Sequence, residues 1–144
     1  MALFHDDGRF QRSEGRAGAF RVYKTISRDA ARSWDPPEAI AEHPEAHLCE
    51  PGAVRSPDGK EIAVLLRENS RKFNSFVILS RDEGRTWTAP RELPAALTGD
   101  RHAAKYAPDG TFVASTYGHW TKGEQPYIVC VRFTIGELDA LNAA

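Results

Sequence analysis

The chain has 144 residues, with 19 basic and 20 acidic side chains that leave a formal net charge of −1. This balance gives no reason to expect a nucleic acid or a membrane surface as a partner. The sequence has no apolar run near the roughly 18 residues of a membrane span, and residues 1–7 lack the basic and apolar segments of a signal peptide. We therefore expect a single domain with its own core, cytoplasmic by default because nothing else in the sequence indicates a location.

Metal-binding and disulfide-forming residues give weak signals. Cys49 and Cys130 are too few for a disulfide framework, and we favour two free thiols over a single bridge between them. Residues 43–47 place two histidines four positions apart, as in a metal pair. The glutamate between them stands at the wrong position for a His-Glu-x-x-His motif, and Pro44 opposes the helix interior that this motif needs. We expect neither a metal site nor a cofactor.

The first predicted elements are a lead-in and a strand. Residues 1–18 are predicted to form a flexible lead-in, because residues 8–18 are polar and rich in glycine. Residues 19–26 alternate apolar and polar side chains, which predicts a half-buried strand.

A short motif follows this strand and recurs later in the chain. Residues 27–34 have the sequence Ser-Arg-Asp-Ala-Ala-Arg-Ser-Trp, and residues 80–87, which are 53 positions further on, have Ser-Arg-Asp-Glu-Gly-Arg-Thr-Trp. The aspartate of each copy is suited to accept hydrogen bonds from nearby backbone N–H groups and so to hold a turn. Gly84 suits a turn with positive φ, whereas its counterpart is Ala31, for which positive φ costs about 1 kcal/mol. We therefore expect a distorted hairpin in the earlier copy.

A second motif repeats at nearly the same spacing. Ser-Pro-Asp-Gly at residues 56–59 and Ala-Pro-Asp-Gly at residues 107–110 are 51 positions apart, and each precedes an apolar, strand-like run. A Pro-Asp-Gly sequence of this kind forms a tight turn between two strands. Two motifs that share one period of about 50 residues indicate a repeat architecture, and a unit of several short strands is a propeller blade.

The repeats predict an all-β fold, a partial β-propeller of about two and a half four-stranded blades. We predict a partial blade over residues 19–47, a full blade over residues 48–97, and a partial blade with a short closing helix over residues 98–144. The predicted strands of the last two blades cover residues 52–55, 61–67, 75–80, 86–88, 103–107, 111–117 and 126–133, and the helix covers residues 136–142. A closed ring needs at least four blades, so we expect a longer protein, copies that close the ring together, or protected sheet edges.

The motif at residues 80–87 matches Ser-x-Asp-x-Gly-x-Thr-Trp, which resembles the Asp-box of the sialidase (neuraminidase) superfamily. Residues 48–69 and 97–110 are similar to the bacterial members built from BNR repeats, and the likeness extends over residues 19–140, as the later blades of such a propeller. The resemblance implies a sialidase-like β-propeller and an exo-α-sialidase type of glycoside hydrolase. In this family the box is a structural hairpin away from the active site, so the aspartate of each copy is expected to hold a turn rather than to catalyse.

The resemblance also implies a set of site residues. Recognition of a sialic acid carboxylate calls for convergent arginines, and Arg67 and Arg101 correspond to the second and third arginines that this family uses. Glu50 corresponds to the glutamate that activates a tyrosine nucleophile, a known exception to the usual pair of carboxylates. Tyr127 is the tyrosine best placed after Arg101, with Tyr117 as the second choice. The family's first arginine and its acid/base aspartate have no match here, so we do not expect this chain by itself to be a complete sialidase.

Each of these residues has a plainer interpretation. Glu50 is alternatively a solvated loop acid, Arg67 a surface arginine at the end of an apolar strand, and Arg101 part of an exposed turn. Tyr127 is alternatively a packing residue of its strand. Two functions therefore stay open. One is a sialidase-like glycoside hydrolase, or the C-terminal part of one, whose partner is sialic acid or a related anionic sugar. The other is a non-catalytic module that binds glycans or forms a homo-oligomer that closes the propeller.

Overall fold

The computed structural model describes residues 1–11, 18–118, 121–134, 136–137 and 140, and it is all-β. Three antiparallel sheets follow one another along the chain, and we call them the first, middle and third sheets. The first sheet contains β1 (Ala2–Asp6), β2 (Arg21–Thr25) and β3 (Glu38–Ala41). The middle sheet contains β4 (Leu48–Arg55), β5 (Ile62–Glu68), β6 (Phe76–Ser80) and β7 (Arg91–Glu92). The third sheet contains β8 (Ala103–Tyr106), β9 (Phe112–Gly118) and β10 (Tyr127–Phe133). Together the three sheets form a partial β-propeller, as the repeats predict.

The core lies between the first and middle sheets. Side chains alternate along β5, where Ile62, Val64 and Leu66 are buried and the residues between them are partly exposed. These three residues belong to one cluster of buried apolar side chains that also includes Val22, Ile40, Ala41, Ala46, Leu48, Phe76 and Ile78. The half-buried strand predicted over residues 19–26 is β2, but its residues 21–24 are all buried, and Arg21 and Lys24 form ion pairs with Glu42 and Glu38.

The two Pro-Asp-Gly turns have the same hydrogen bond and the same place in their sheets. The Gly59 N–H donates to the Ser56 carbonyl oxygen at 2.9 Å in the turn between β4 and β5, and the Gly110 N–H donates to the Ala107 carbonyl oxygen at 2.9 Å in the turn between β8 and β9. The third sheet thus corresponds to β4–β6. The first sheet corresponds to β5–β7, because the repeated hairpins at residues 27–34 and 80–87 follow β2 and β6. Because β4 and β8 are counterparts in adjacent blades, the loop before β8 lies against β4.

The hairpin that follows β2 is not distorted, contrary to the expectation from its sequence. Ala31 has a φ of 67°, close to the 78° of Gly84 in the hairpin that follows β6. The Ser27 hydroxyl accepts the Ala31 N–H at 2.8 Å, and the Ser80 hydroxyl accepts the Gly84 N–H at the same distance. Because the other hydrogen bonds of the hairpin are also retained, they hold the alanine in a backbone conformation that favours glycine.

The last strand of the middle sheet also differs from its prediction. It is β7, Arg91–Glu92, and not residues 86–88. Thr88 does lie beside β6, where its N–H donates to the Leu79 carbonyl oxygen at 2.9 Å and its hydroxyl accepts the Leu79 N–H at 3.0 Å. Pro90 has no N–H to continue a ladder, so regular pairing resumes only beyond it.

The start of the chain is a strand, so the predicted lead-in over residues 1–18 needs correction. Residues 2–6 form β1 and pair with β2, and the Phe4 ring stacks on Tyr23 with the ring centroids 5.6 Å apart. Residues 12–17 of the lead-in, and most of the closing helix predicted over residues 136–142, lie outside the described residues. No helix in the described part of the chain combines the length and the apolar character that a membrane crossing requires.

Candidate functional site

Glu50 lies at an irregularity in β4. The pairing of β4 with β5 shifts register between Cys49 and Gly52, and Glu50 has a φ of 46°, which is unusual for a residue with a Cβ. Its backbone N–H donates to the His5 Nδ1 at 3.3 Å, and Pro51 has no N–H to lose from the ladder. The irregularity therefore turns the Glu50 carboxylate away from the position that a regular strand would give it.

Arg67 connects Glu50 to a second buried acid. Its Nη1 donates to the Glu50 Oε1 at 3.0 Å, and its Nε lies 3.2 Å from the Asp100 Oδ1 in an ion pair. Asp100 is only 4% exposed, and its backbone N–H donates to the Tyr117 carbonyl oxygen at 3.2 Å. The end of β5, the irregularity of β4 and the loop before β8 therefore meet at one guanidinium group.

Two further arginines complete a chain of alternating charges. The Arg71 Nη2 lies 2.5 Å from the Asp100 Oδ1, and the Arg101 Nε lies 3.6 Å from the Glu50 Oε1. We call these five side chains the arginine cluster: Arg71, Asp100, Arg67, Glu50 and Arg101. Three guanidinium groups against two carboxylates leave one positive charge in excess, which favours an anionic ligand.

Two glycines allow the loop before β8 to reach the cluster. A Cβ added at Gly52 would lie 2.1 Å from the carbonyl oxygen of His102, and a Cβ added at Gly99 would lie 2.1 Å from the Thr116 Oγ1. Neither distance is compatible with a side chain. Glycine at these positions lets the loop pack directly on β4 and on β9, and this packing places Arg101 beside Glu50.

The cluster contains a polar atom with no protein partner. The Glu50 Oε2 is buried and accepts no hydrogen bond from any described residue. A buried carboxylate oxygen without a donor is costly, so an O–H or N–H group of a ligand or of another side chain fits this position. His102 borders the same region, and burial lowers its pKa, which favours the neutral imidazole.

Burial defines the surroundings of the neighbouring thiol, and local hydrogen bonds define those of His43. Cys49 and Cys130 are both free, and burial raises the pKa of the Cys49 thiol to about 12, so it stays protonated and is a poor nucleophile. The His43 Nδ1 accepts the N–H groups of Glu45 and Ala46 at 3.2 Å and 2.9 Å, which makes the imidazole a turn-holding group. The described residues contain no group of three or more His, Cys, Asp or Glu side chains that could hold a metal ion.

Tyr127 begins β10 opposite Gly118 and is 43% exposed. Its side chain belongs to the same face of the strand as Val129 and Val131, which line an apolar cavity between the middle and third sheets. Tyr117 lies on the other face, because it stands opposite Ile128. No hydrogen bond among the described residues joins Tyr127 to the arginine cluster. Ion pairs therefore join Glu50, Arg67 and Arg101, and none of these ion pairs involves Tyr127.

The plainer interpretations of Glu50 and Arg67 are wrong, whereas that of Arg101 is partly right. The side chains of Glu50 and Arg67 are mostly buried in mutual ion pairs, and the side chain of Arg101 is 71% exposed. Sequence reasoning missed Asp100 and Arg71 as members of the cluster. Asp100 had a weak signal, since it stands between a glycine and the predicted site arginine, but Arg71 lies in a loop whose sequence carries no motif.

The aspartates of the two hairpins lie at the other end of the middle and first sheets. Asp82 accepts the Thr86 N–H at 2.9 Å and the Thr86 hydroxyl at 2.6 Å, and Asp29 accepts the same groups of Ser33. The hydrogen bonds from Thr86 and Ser33 lower the pKa of Asp82 and of Asp29 to about 2. These contacts confirm that the two aspartates hold turns.

Comparison with known proteins finds likeness in structure only. No protein-family model and no curated protein matches the sequence. A protein of unknown function from Dyadobacter fermentans DSM 18053 is similar with a TM-score of 0.64 and 19% identity, over 80% of this chain and 30% of that one. The Hadza microbial sialidase Hz136 is similar with a TM-score of 0.59 and 15% identity, over 78% of this chain and 29% of that one.

The chain has a sialidase-like fold. At these identities the likeness shows the fold alone, because one fold carries many functions. The chain spans about 30% of the length of either similar structure.

Proposed function

We propose that this chain forms part of a sialidase-like glycoside hydrolase and that its arginine cluster binds the carboxylate of sialic acid or a related anionic sugar. One observation carries the proposal. Arg67 and Arg101 both reach the same oxygen of Glu50, at 3.0 Å and 3.6 Å, so cationic groups and a carboxylate share one place at the end of the blades. Arginine is the side chain best suited to a carboxylate, because its planar fork donates two parallel hydrogen bonds.

Glu50 is proposed to activate a tyrosine nucleophile. Its Oε2 is buried without a donor, and a phenol O–H that donates to this oxygen would transfer its proton to Glu50 as the phenol oxygen attacks the anomeric carbon. The bond from that carbon to the leaving-group oxygen would break in the same step, and the acid/base carboxylate of the complete propeller would protonate the leaving group. A neutral phenol suits an anionic substrate, because a carboxylate nucleophile would be repelled by it. Tyr127 is proposed for this role, and its support is its exposure and its position on the strand face that looks toward the middle sheet.

Hydrolysis needs an acid/base carboxylate in addition, to which this chain offers no match. The proposal for the chain by itself is therefore binding, and hydrolysis is proposed for a propeller that also supplies this group. Binding and turnover are separate measurements, so a chain that binds without turnover agrees with the proposal.

The test is the affinity of the purified chain for N-acetylneuraminic acid, measured by titration calorimetry, with galactose as the neutral sugar. Arg101→Ala should weaken the binding of the acid about tenfold, because it removes a charged hydrogen-bond donor. Arg81→Ala is the matched control, since Arg81 is also an exposed, ion-paired arginine but lies at the hairpin end of the middle sheet. Equal binding of galactose and the acid, or no binding of the acid, would contradict the proposal.

A second candidate function, assembly with another copy, rests on a different observation. β10 is an edge strand, and Ile128 on it is 77% exposed. In the middle sheet β7 covers the outer edge of β6, whereas no described strand covers the same edge of β10. An exposed apolar edge of this kind recruits another strand. A solution mass of two chains that falls to one chain in Ile128→Lys would favour a homo-oligomer, and a single-chain mass at all concentrations would exclude it.

A further inference from the structure

The three arginines of the arginine cluster differ in what they can offer a ligand. The side chain of Arg67 is 17% exposed, whereas the side chains of Arg71 and Arg101 are 56% and 71% exposed. The Arg67 Nη1 donates to the Glu50 Oε1, and its Nε lies 3.2 Å from the Asp100 Oδ1 in an ion pair without a hydrogen bond. Its burial leaves little of its guanidinium group accessible to a ligand.

Each of the two exposed arginines forms its ion pair through one of its nitrogen atoms. Arg71 meets Asp100 through its Nη2, and Arg101 faces Glu50 through its Nε. A guanidinium group has five N–H donors, so most donors of both groups point elsewhere. The acids that hold them are largely buried, which fixes the two anchoring points while the outer ends of the arginines face solvent.

We propose that Arg71 and Arg101 are the arginines that contact the anionic ligand and that Arg67 is a positioning residue, which links the two anchoring acids. The inference rests on the proposed function and changes the roles within it. Arg71 becomes a binding residue, and Arg67, which the sequence suggests as a substrate-binding arginine, acts through its neighbours.

The arrangement also defines the ligand class. The guanidinium groups of Arg71 and Arg101 lie on either side of the buried Arg67. They match a ligand with a carboxylate and neighbouring hydrogen-bond acceptors, as in a sugar acid. A neutral sugar gains little there, because it leaves the excess positive charge of the cluster without a counter-ion.

Affinity measurements separate the two roles. Arg71→Ala and Arg101→Ala should each weaken the binding of N-acetylneuraminic acid about tenfold, while Arg81→Ala leaves it unchanged. Arg67→Lys should weaken binding in the wild-type background and have a smaller effect in Arg71→Ala and in Arg101→Ala, because it acts through both of these arginines. If the effects of Arg67→Lys and Arg71→Ala simply add, Arg67 contacts the ligand itself and the assigned roles are wrong.

Chemical footprinting tests the same assignment without a substitution. Phenylglyoxal should modify Arg71 and Arg101 but not Arg67, and N-acetylneuraminic acid should protect Arg71 and Arg101, as read by mass spectrometry of the peptides. Protection of Arg101 without protection of Arg71 would overturn the inference and leave the proposed function standing. No binding of N-acetylneuraminic acid or of glucuronate by the wild-type chain would overturn both.

Discussion

Ala31 shows that hydrogen bonds can hold one residue in a backbone conformation that its side chain disfavours. It has nearly the φ of Gly84, its counterpart in the later hairpin, because Ser27 binds its N–H as Ser80 binds that of Gly84. The hydrogen bonds of the serine and the aspartate determine the hairpin. Alanine in place of glycine changes only the free energy that the positive φ costs.

Ala31→Gly should therefore stabilise the protein by about 0.5–1 kcal/mol, since glycine adopts positive φ without steric cost. Gly84→Ala should have the opposite effect, because the added Cβ would also lie 3.2 Å from the Trp87 ring. Urea denaturation midpoints of both variants give the comparison. A destabilised Ala31→Gly would show that the conformation of Ala31 is not strained.

Gly52 is the residue on which the approach of β4 to the loop before β8 depends. Gly52→Ala should destabilise the protein by about 2–3 kcal/mol, because a Cβ would lie 2.1 Å from the His102 carbonyl oxygen. Gly136→Ala, where the added Cβ meets no atom within 4 Å, is the matched control. Equal thermal midpoints for the two variants would mean that the loop does not pack on β4 as described.

At the scale of the elements, the two hairpins depend on ionised aspartates. Hydrogen bonds from Thr86 and Ser33 lower the pKa of Asp82 and of Asp29 from 3.8 to about 2. A lowered pKa in the folded state means that each carboxylate contributes full stability above about pH 4 and loses this contribution as the pH falls toward 2.

The thermal midpoint of the wild-type chain should therefore decrease between pH 4 and pH 2 more than that of Asp82→Asn, which has no carboxylate to protonate in the second hairpin. Asp7→Asn, which removes a carboxylate outside both hairpins, serves as the control. Parallel midpoint curves for the wild type and Asp82→Asn over this range would argue against ionised Asp82 as a source of hairpin stability.

At the scale of the whole molecule, Arg67 connects the middle blade to the third. It lies on β5 and pairs with Glu50 of β4 and with Asp100 of the loop before β8. Without Arg67, two largely buried carboxylates would share one place without their common cation.

Arg67→Met should lower the free energy of unfolding by about 3 kcal/mol at neutral pH, because both acids lose a buried partner. Arg81→Met removes the ion pair of an arginine whose side chain is 83% exposed. It should change the free energy of unfolding by less than about 1 kcal/mol. Guanidinium or urea titrations measure both values. A small effect of Arg67→Met would show that the arginine cluster contributes little to the contact between the blades.

Much of the fold follows from patterns that are local in the sequence. The apolar run after the first Pro-Asp-Gly turn predicts β5, and the Pro-Asp-Gly turns at residues 56–59 and 107–110 predict how the strands on either side of each turn are joined. The position of β7 along the chain was missed, because Pro90 interrupts the pairing that Thr88 begins. β1 was missed, because it pairs with β2, from which the glycine-rich segment separates it in the sequence.

The site residues also divide into those that the sequence predicts and those that only the structure reveals. Glu50, Arg67 and Arg101 follow from the resemblance of their surroundings, and the structure brings them together. Asp100 had only a weak signal in the sequence and Arg71 had none, because an ion pair depends on distance between elements and not on spacing along the chain.

The sequence by itself therefore determined the repeat, most of the strands, the Pro-Asp-Gly turns, and the hairpins held by Asp29 and Asp82. These features depend on hydrogen bonds and packing between residues that are close in the chain. Only the tertiary structure decided which arginines are buried and which face solvent. That decision rests on the contact between β4 and the loop before β8, which glycine at position 52 permits because no Cβ stands between the two backbones.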